Sequence, residues 1–315
     1  MKKVVGIGET VFDIVFRGGT PQAGVPGGST FNAMISLGRT IKNNDVSLKM
    51  VSQIGRDQVA SIVLDFMRNN NVDTDAMKCI EGCQSTLSVA VLDENDNAQY
   101  EFFRDASMPH FSADEIEFEE GDIVIFGSFF AISPGTCEET QRMVEKARNA
   151  GAIIYYDINF RTSHLSELSR VRPLIEKNCS MSDIVRGSIE DVRYVFGANS
   201  ADEAYNSYIS KLCPTFICTK GGDNVEVFSK VGKAEFPVPQ VKTISTIGAG
   251  DNFNAGIVYG LIKEQINRKQ ICCITPEEWG RLVPVATLFS ATVCASMFTY
   301  VDIDFAETKL LKNQS

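Results

Sequence analysis

Apolar positions along this chain alternate between two rhythms. Short, nearly continuous apolar runs at 2–8, 48–54, 123–127, 152–157, 182–187 and 214–219 read as strands. Those at 123–127 and 152–157 are apolar enough to be covered on both faces. Between the runs lie apolar residues three and four apart, as in Phe31, Met34, Ile35 and Leu37. They predict a helix capped by Ser29, and further helices over 60–69 and 134–149. This succession predicts an α/β chain with a mostly parallel sheet, and residues 225–228 and 233–238 add a hairpin to it.

The rhythm breaks where β-rich residues 85–92 and 98–104 flank the polar run 93–97, which predicts a hairpin. Residues 12–16 alternate like a strand, whereas 18–28 read as glycine- and proline-rich loop. Together these segments predict a small β lid, about 10–20 and 85–107, over the mouth of a site. The edge of such a sheet is also a candidate surface for pairing with a second copy. No repeat, low-complexity tract or linker divides the chain, so 1–315 is read as a single domain with this lid.

The stretch with most chemical content is Thr246-Ile247-Gly248-Ala249-Gly250-Asp251. Small residues are followed by the helical stripe Phe253, Ile257, Val258, Leu261 and Ile262, so a helix starts here. Its first N–H groups lack intrahelical partners and lie at the positive end of the dipole, a setting for a phosphate. A carboxylate facing that site either caps the helix or takes a proton from a hydroxyl attacking phosphorus. Other strand ends and turns supply candidate ligand groups. Gly27-Gly28 permits close backbone approach, Asn32 either faces solvent or meets hydroxyls, and Asp157-Ile158-Asn159-Phe160-Arg161 follows a strand. Arg104 ends the predicted hairpin.

Composition narrows the chemistry. A formal charge of −10 argues against nucleic acid and anionic membranes as partners. Nine scattered cysteines without a secretory signal suit reduced thiols and a cytoplasmic location. Cys79 and Cys83 have the spacing of half a zinc site, but no second pair completes it. With His110 and His164 the only histidines, Ser-His and Cys-His catalysis are disfavoured, and no G-x-x-x-x-G-K-[ST] loop occurs. The uncharged run 282–301 is long enough to span a bilayer, yet its Pro, Ser and Thr content predicts a helix buried against a sheet.

Over nearly its whole length the chain resembles the ribokinase-like, phosphofructokinase-B type carbohydrate kinases. The resemblance rests on the Gly-Gly helix start, the Asp-x-Asn-x-Arg segment and Gly248-Ala249-Gly250-Asp251, in that order. It implies a three-layer α/β/α ribokinase-like fold with Asp251 as catalytic base and Gly248, Ala249 and Gly250 as the anion hole. It assigns Asp13, Gly28, Asn32 and Arg104 to the acceptor sugar and Arg161 to the substrate or the transferred phosphoryl group, and it implies ATP with Mg²⁺ as cofactors. Ser188, Thr219, Gly221 and Asn224 fall on the nucleotide side, with Asp191 acting on the metal through water. Asn224 stands where the family has glycine and is expected to keep a left-handed turn. Ser245 replaces a carboxylate common in the family, so a monovalent-cation site is not expected. The Gly8-Glu9 to Asp13 segment is most similar to the fructokinase branch, with ketodeoxygluconate, ribose and nucleosides as alternative acceptors. The rival of another class is a sugar-binding protein without catalysis.

Overall fold

Alternate residues of the parallel strands serve two different cores. In the computed structural model, which describes residues 1–41, 46–92 and 98–310, Val4, Ile123, Ile125, Ile153, Tyr155 and Ile184 turn to one side of the main sheet. Val5, Ile7, Val124, Phe126, Ile154, Tyr156 and Val185 turn to the other. The period-two alternation of side chains makes each strand a wall shared by both layers.

The strands are β1 (Lys2–Ile7), β2 (Val11–Arg17), β3 (Thr20–Gly27), β4 (Val46–Gly55), β5 (Met77–Ile80), β6 (Leu87–Leu92) and β7 (Ala98–Phe103). They continue with β8 (Ile123–Gly127), β9 (Ile153–Asp157), β10 (Ile184–Ser188), β11 (Phe216–Thr219), β12 (Asn224–Ser229) and β13 (Gly232–Pro237). The helices are α1 (Ser29–Thr40), α2 (Gln58–Asn69), α3 (Cys137–Asn149), α4 (Leu168–Met181), α5 (Ile189–Phe196), α6 (Ala201–Ser207), α7 (Ala249–Lys263), α8 (Arg268–Ile271) and α9 (Pro276–Cys294).

The main sheet runs β13-β12-β11-β10-β9-β8-β1-β4-β5, parallel except where β12 pairs antiparallel with β11 and β13. β1 pairs with both β4 and β8, so the chain leaves it first to one side and later to the other. Such a reversal opens a crevice beyond the carboxyl ends of the strands. Residues of α1, α2, α7 and α9 fill one core, and those of α3, α4, α5 and α6 the other. The three-layer arrangement read from the sequence is thus present. α9 lies along α7, with Gly256 against Ala286 and Gly260 against Leu282. The uncharged run 282–301 is therefore not one helix, since α9 ends at Cys294. Among the described residues no helix is long and apolar enough to cross a membrane.

A separate sheet of order β3-β2-β6-β7 stands at the crevice. Its strands differ from the sequence expectation at residues 20–27, read as loop but forming strand β3. Turn-forming composition yields there to antiparallel pairing with β2, interrupted by an irregularity at Val15/Phe16. The expected turn at 93–97 lies outside the described residues. In register, Asp13 of β2, Ser88 of β6 and Phe102 of β7 form one cross-strand row.

Candidate active site

Gly248, in the left-handed region at φ 78°, is the N-cap of α7, so the chain turns sharply into the helix. Glycine, which has no Cβ, adopts this conformation at least cost. A Cβ on Gly248 would stand 2.8 Å from the Thr299 carbonyl oxygen. Ala249, Gly250 and Asp251 form the first turn, where N–H groups are unpaired by the helix itself.

Asp251 is buried at this helix start. Its Oδ1 accepts from Ser29 Oγ at 2.7 Å and its Oδ2 from Asn32 Nδ2 at 2.9 Å. Burial raises its pKa; the Asn32 and Ser29 hydrogen bonds and the Arg161 charge act in the opposite direction. The solvent-facing alternative for Asn32 is overturned, because α1 buries this face against α7 and the side chain bridges to Thr299 Oγ1, 3.0 Å away. Ser29 does not cap α1. Gly28 is the N-cap, and the Ser29 hydroxyl is turned to Asp251 while accepting from Asn159 Nδ2 at 2.9 Å. Gly28 has φ 122°, and a Cβ there would collide with the Glu9 carbonyl oxygen.

Asp13 faces the same space from the small sheet, hydrogen-bonded by Ser88 Oγ. Its pKa is pushed up to about 6, chiefly by burial and further by Glu9 and Asp251. Gly27 makes this placement possible, since a Cβ there would clash with Asp13 Oδ2. Arg104 lies at the rim in a two-pronged ion pair with Glu9, both bonds 3.0 Å, with its guanidinium 4.5 Å from the Phe102 ring centroid and 5.8 Å from that of Phe129. Arg161 is exposed, and its charge reaches Asp251. Asp157 does not pair with Arg161, four residues on in its own segment. It pairs with Arg186 of β10, and Asn159 has φ 35°, so the chain turns after β9.

Farther along the strand ends, Thr219 Oγ1 accepts from Arg186 Nη2 at 2.6 Å, and Gly221 takes the left-handed turn at φ 60°. Asn224 does not: it is absent from the residues with positive φ and begins β12, its amide donating to Glu235. Ladder pairing with Pro237 of β13 holds it extended. Ser188 caps α5 in a reciprocal box with Asp191. Asp191 Oδ2 accepts from Ser188 N and Oδ1 from Phe160 N at 2.8 Å, so its carboxylate ties two loops together. Among the described residues no three His, Cys, Asp or Glu side chains gather as a metal cage, and Cys79 and Cys83 are free thiols.

The residues that pattern reading missed are Ser29 as a partner of Asp251, Arg186, Asn254 and Thr299. Asn254 Nδ2 donates to Asp157 Oδ2 at 2.6 Å, and its Oδ1 accepts from Tyr155 Oη at 2.9 Å. A visible signal existed for Arg186, a charge inside an otherwise apolar strand. Together these groups place an ionisable carboxylate, a helix N-terminus and a polar cleft wall at one crevice, an arrangement able to move a proton from a hydroxyl beside a bound anion.

The model of the pfkB family of carbohydrate kinases matches residues 1–293. A fructokinase of Rhizobium leguminosarum bv. trifolii is 27% identical over 270 residues, covering 84% of this chain and 81% of that protein. Aminoimidazole riboside kinase of Salmonella typhimurium is 20% identical over 300 residues, covering 94% and 89%. Among solved structures, the fructokinase of Vibrio cholerae O395 with fructose, ADP and calcium ion bound superposes with a TM-score of 0.83 at 19% identity, covering 96% of each chain. The aminoimidazole riboside kinase of Salmonella enterica with its riboside and an ATP analogue gives 0.80 at 20% identity, covering all of both chains. At these identities the structures speak for the fold.

Proposed function

Because the chain belongs to the pfkB family of carbohydrate kinases, we propose that it transfers the γ-phosphate of ATP to a primary hydroxyl of a small sugar, foremost fructose, giving fructose 6-phosphate. The observation that carries this reading is the fixed carboxylate of Asp251 at the first turn of α7, both of its oxygens held by α1. The fructokinase relatives support fructose as the acceptor.

In this reading the triphosphate lies along the strand ends, from Thr219 and Gly221 toward Gly248. The acceptor sits between Asp13, Asn32 and the small sheet. Asp251 takes the proton of the attacking hydroxyl. The N–H groups at Gly248, Ala249 and Gly250 then stabilise charge on the transferred group, with Arg161 adding positive charge from the open side. Closure of the small sheet excludes water that would otherwise accept the phosphoryl group. Magnesium would neutralise the phosphates, held mainly by them and by water. Exposed Glu190 is a carboxylate available to that water shell, whereas Asp191 is engaged by backbone. We place the enzyme in the cytoplasm as a single domain with its lid, and the lid edge remains a candidate surface for a second copy.

A riboside acceptor is the second reading. Phe102 shares a row with Asp13 and Ser88, which suits a planar group on the acceptor, and the riboside kinase relative supports it. An ADP-release assay over hexoses, pentoses, sugar acids and ribosides tests both. Turnover highest with fructose upholds the first, and preference for a riboside replaces it. No turnover with any acceptor favours a binding protein.

A further inference from the structure

Arg186 holds together three elements that no other group described at this site joins. Its Nη1 donates to both oxygens of Asp157 at the end of β9, 3.1 and 3.2 Å away. Its Nη2 donates to Thr219 at the end of β11 at 2.6 Å. The same two nitrogens lie 2.8 and 3.0 Å from where a Cβ on Gly250 would stand, so the guanidinium fills the space beneath the first turn of α7. Nε is buried and has no hydrogen-bond partner among the described residues. The side chain is buried throughout, and its charge is held against that burial by Asp157 and Asp191.

A buried ion pair is a poor device for stability alone, since well-packed apolar residues often serve as well. What a planar fork provides is direction: several hydrogen bonds at fixed angles from one rigid group. Here they run between the nucleotide-side strand end and the turn that precedes the base. Asp157 extends the link into α7, because its Oδ2 also accepts from Asn254 at 2.6 Å.

We propose that Arg186 is a positioning residue for phosphoryl transfer, setting the span between Thr219 and the Gly248–Asp251 turn and thereby the place of the terminal phosphorus relative to Asp251. The inference rests on the kinase reading. It differs from a purely structural role in its consequences. Lysine keeps the charge and can pair with Asp157, but it cannot bond Asp157 and Thr219 while filling the space under Gly250. A misplacement of reacting atoms by about 1 Å can cost ~100-fold in rate.

The experiment compares the wild type with Arg186→Lys in thermal melting, in kcat and KM for ATP and acceptor, and in phosphate release without acceptor. The expected result is a near-wild-type melt, an acceptor KM within about twofold, and kcat lower by ~100-fold. A larger share of ATP turnover should also end on water. Wild-type kcat in a folded Arg186→Lys protein overturns the inference, because charge pairing alone then suffices. If that variant does not fold, the neutral pair Asp157→Asn with Arg186→Gln replaces it, and unimpaired kcat there has the same meaning. Absence of turnover in the wild type itself would instead count against the kinase reading.

Discussion

Asn32 donates its amide to Asp251 across 219 positions of sequence, at 2.9 Å, and so fixes one oxygen of the carboxylate that faces the crevice. Ser29 fixes the other. The Asp251 carboxylate is therefore aimed by α1 and not by its own helix.

Replacing Asp251 by Asn keeps the shape and removes the proton acceptor. Turnover should fall by roughly 10²- to 10⁴-fold, the usual contribution of a general base. ATP affinity, measured by calorimetry, should stay within about twofold, because the glycine turn is untouched. Retained turnover would remove Asp251 from its assigned role.

Asn32→Ala should shift the pH profile in a definite direction. Its hydrogen bond favours the ionised form of Asp251, against the burial that raises the pKa. Without that donor the pKa rises further, so the acid limb of kcat should move to higher pH. An unmoved limb would mean that another group limits the rate.

Asp13, which the proposed function places at the acceptor, also makes stability depend on pH. With a folded-state pKa of about 6 against 3.8 for the free group, the folded protein binds more protons in that interval. Stability attributable to Asp13 is therefore present at low pH and lost as pH rises from about 4 to 6, by on the order of 2–3 kcal/mol. Asp13→Asn should accordingly melt above the wild type at pH 7.5 and approach it at pH 5, while raising the acceptor KM. A constant difference between the two proteins across pH would refute the assignment.

Gly28→Ala puts a methyl group where the Glu9 carbonyl stands, on a backbone with φ 122°. A loss of about 2 kcal/mol or more in urea unfolding is expected, from strain and from the displaced turn.

Arg104 and Glu9 are too exposed for their pair to stabilise much. Arg104→Met should change stability by less than about 1 kcal/mol. Because the pair stands at the rim beside Phe102 and Phe129, the acceptor KM should rise several-fold, with kcat nearly kept. Steady-state kinetics over the acceptor panel reads both.

The layers were legible because parallel strands covered on both faces leave an unmistakable apolar run, as at 123–127 and 153–157. The glycine-rich helix start at 248–251 was legible for a different reason, since a sharp backbone turn demands small residues. Other features followed from tertiary contacts that local composition does not carry. Proline and glycine at 20–27 suggested a loop, and pairing with β2 made a strand. Ser29 looked like a cap, but Gly28 takes that place and frees the hydroxyl for Asp251. Asn224 looked like a turn residue, yet it is held in an antiparallel ladder. Asp157 had an arginine four residues away, and its partner came from the neighbouring strand instead.

The segment after α9 acts on the crevice although it follows almost everything else in the chain. Thr299 donates to Asn32, its carbonyl accepts from Asn252 at 2.7 Å, and Val301 N donates to Ser36 Oγ at 3.2 Å. During synthesis both sheets and the helix bearing Asp251 emerge before these residues do. The scaffold that aims the carboxylate is therefore completed last, and a nascent chain halted before Thr299 would carry Asp251 without the full set of contacts that orient it.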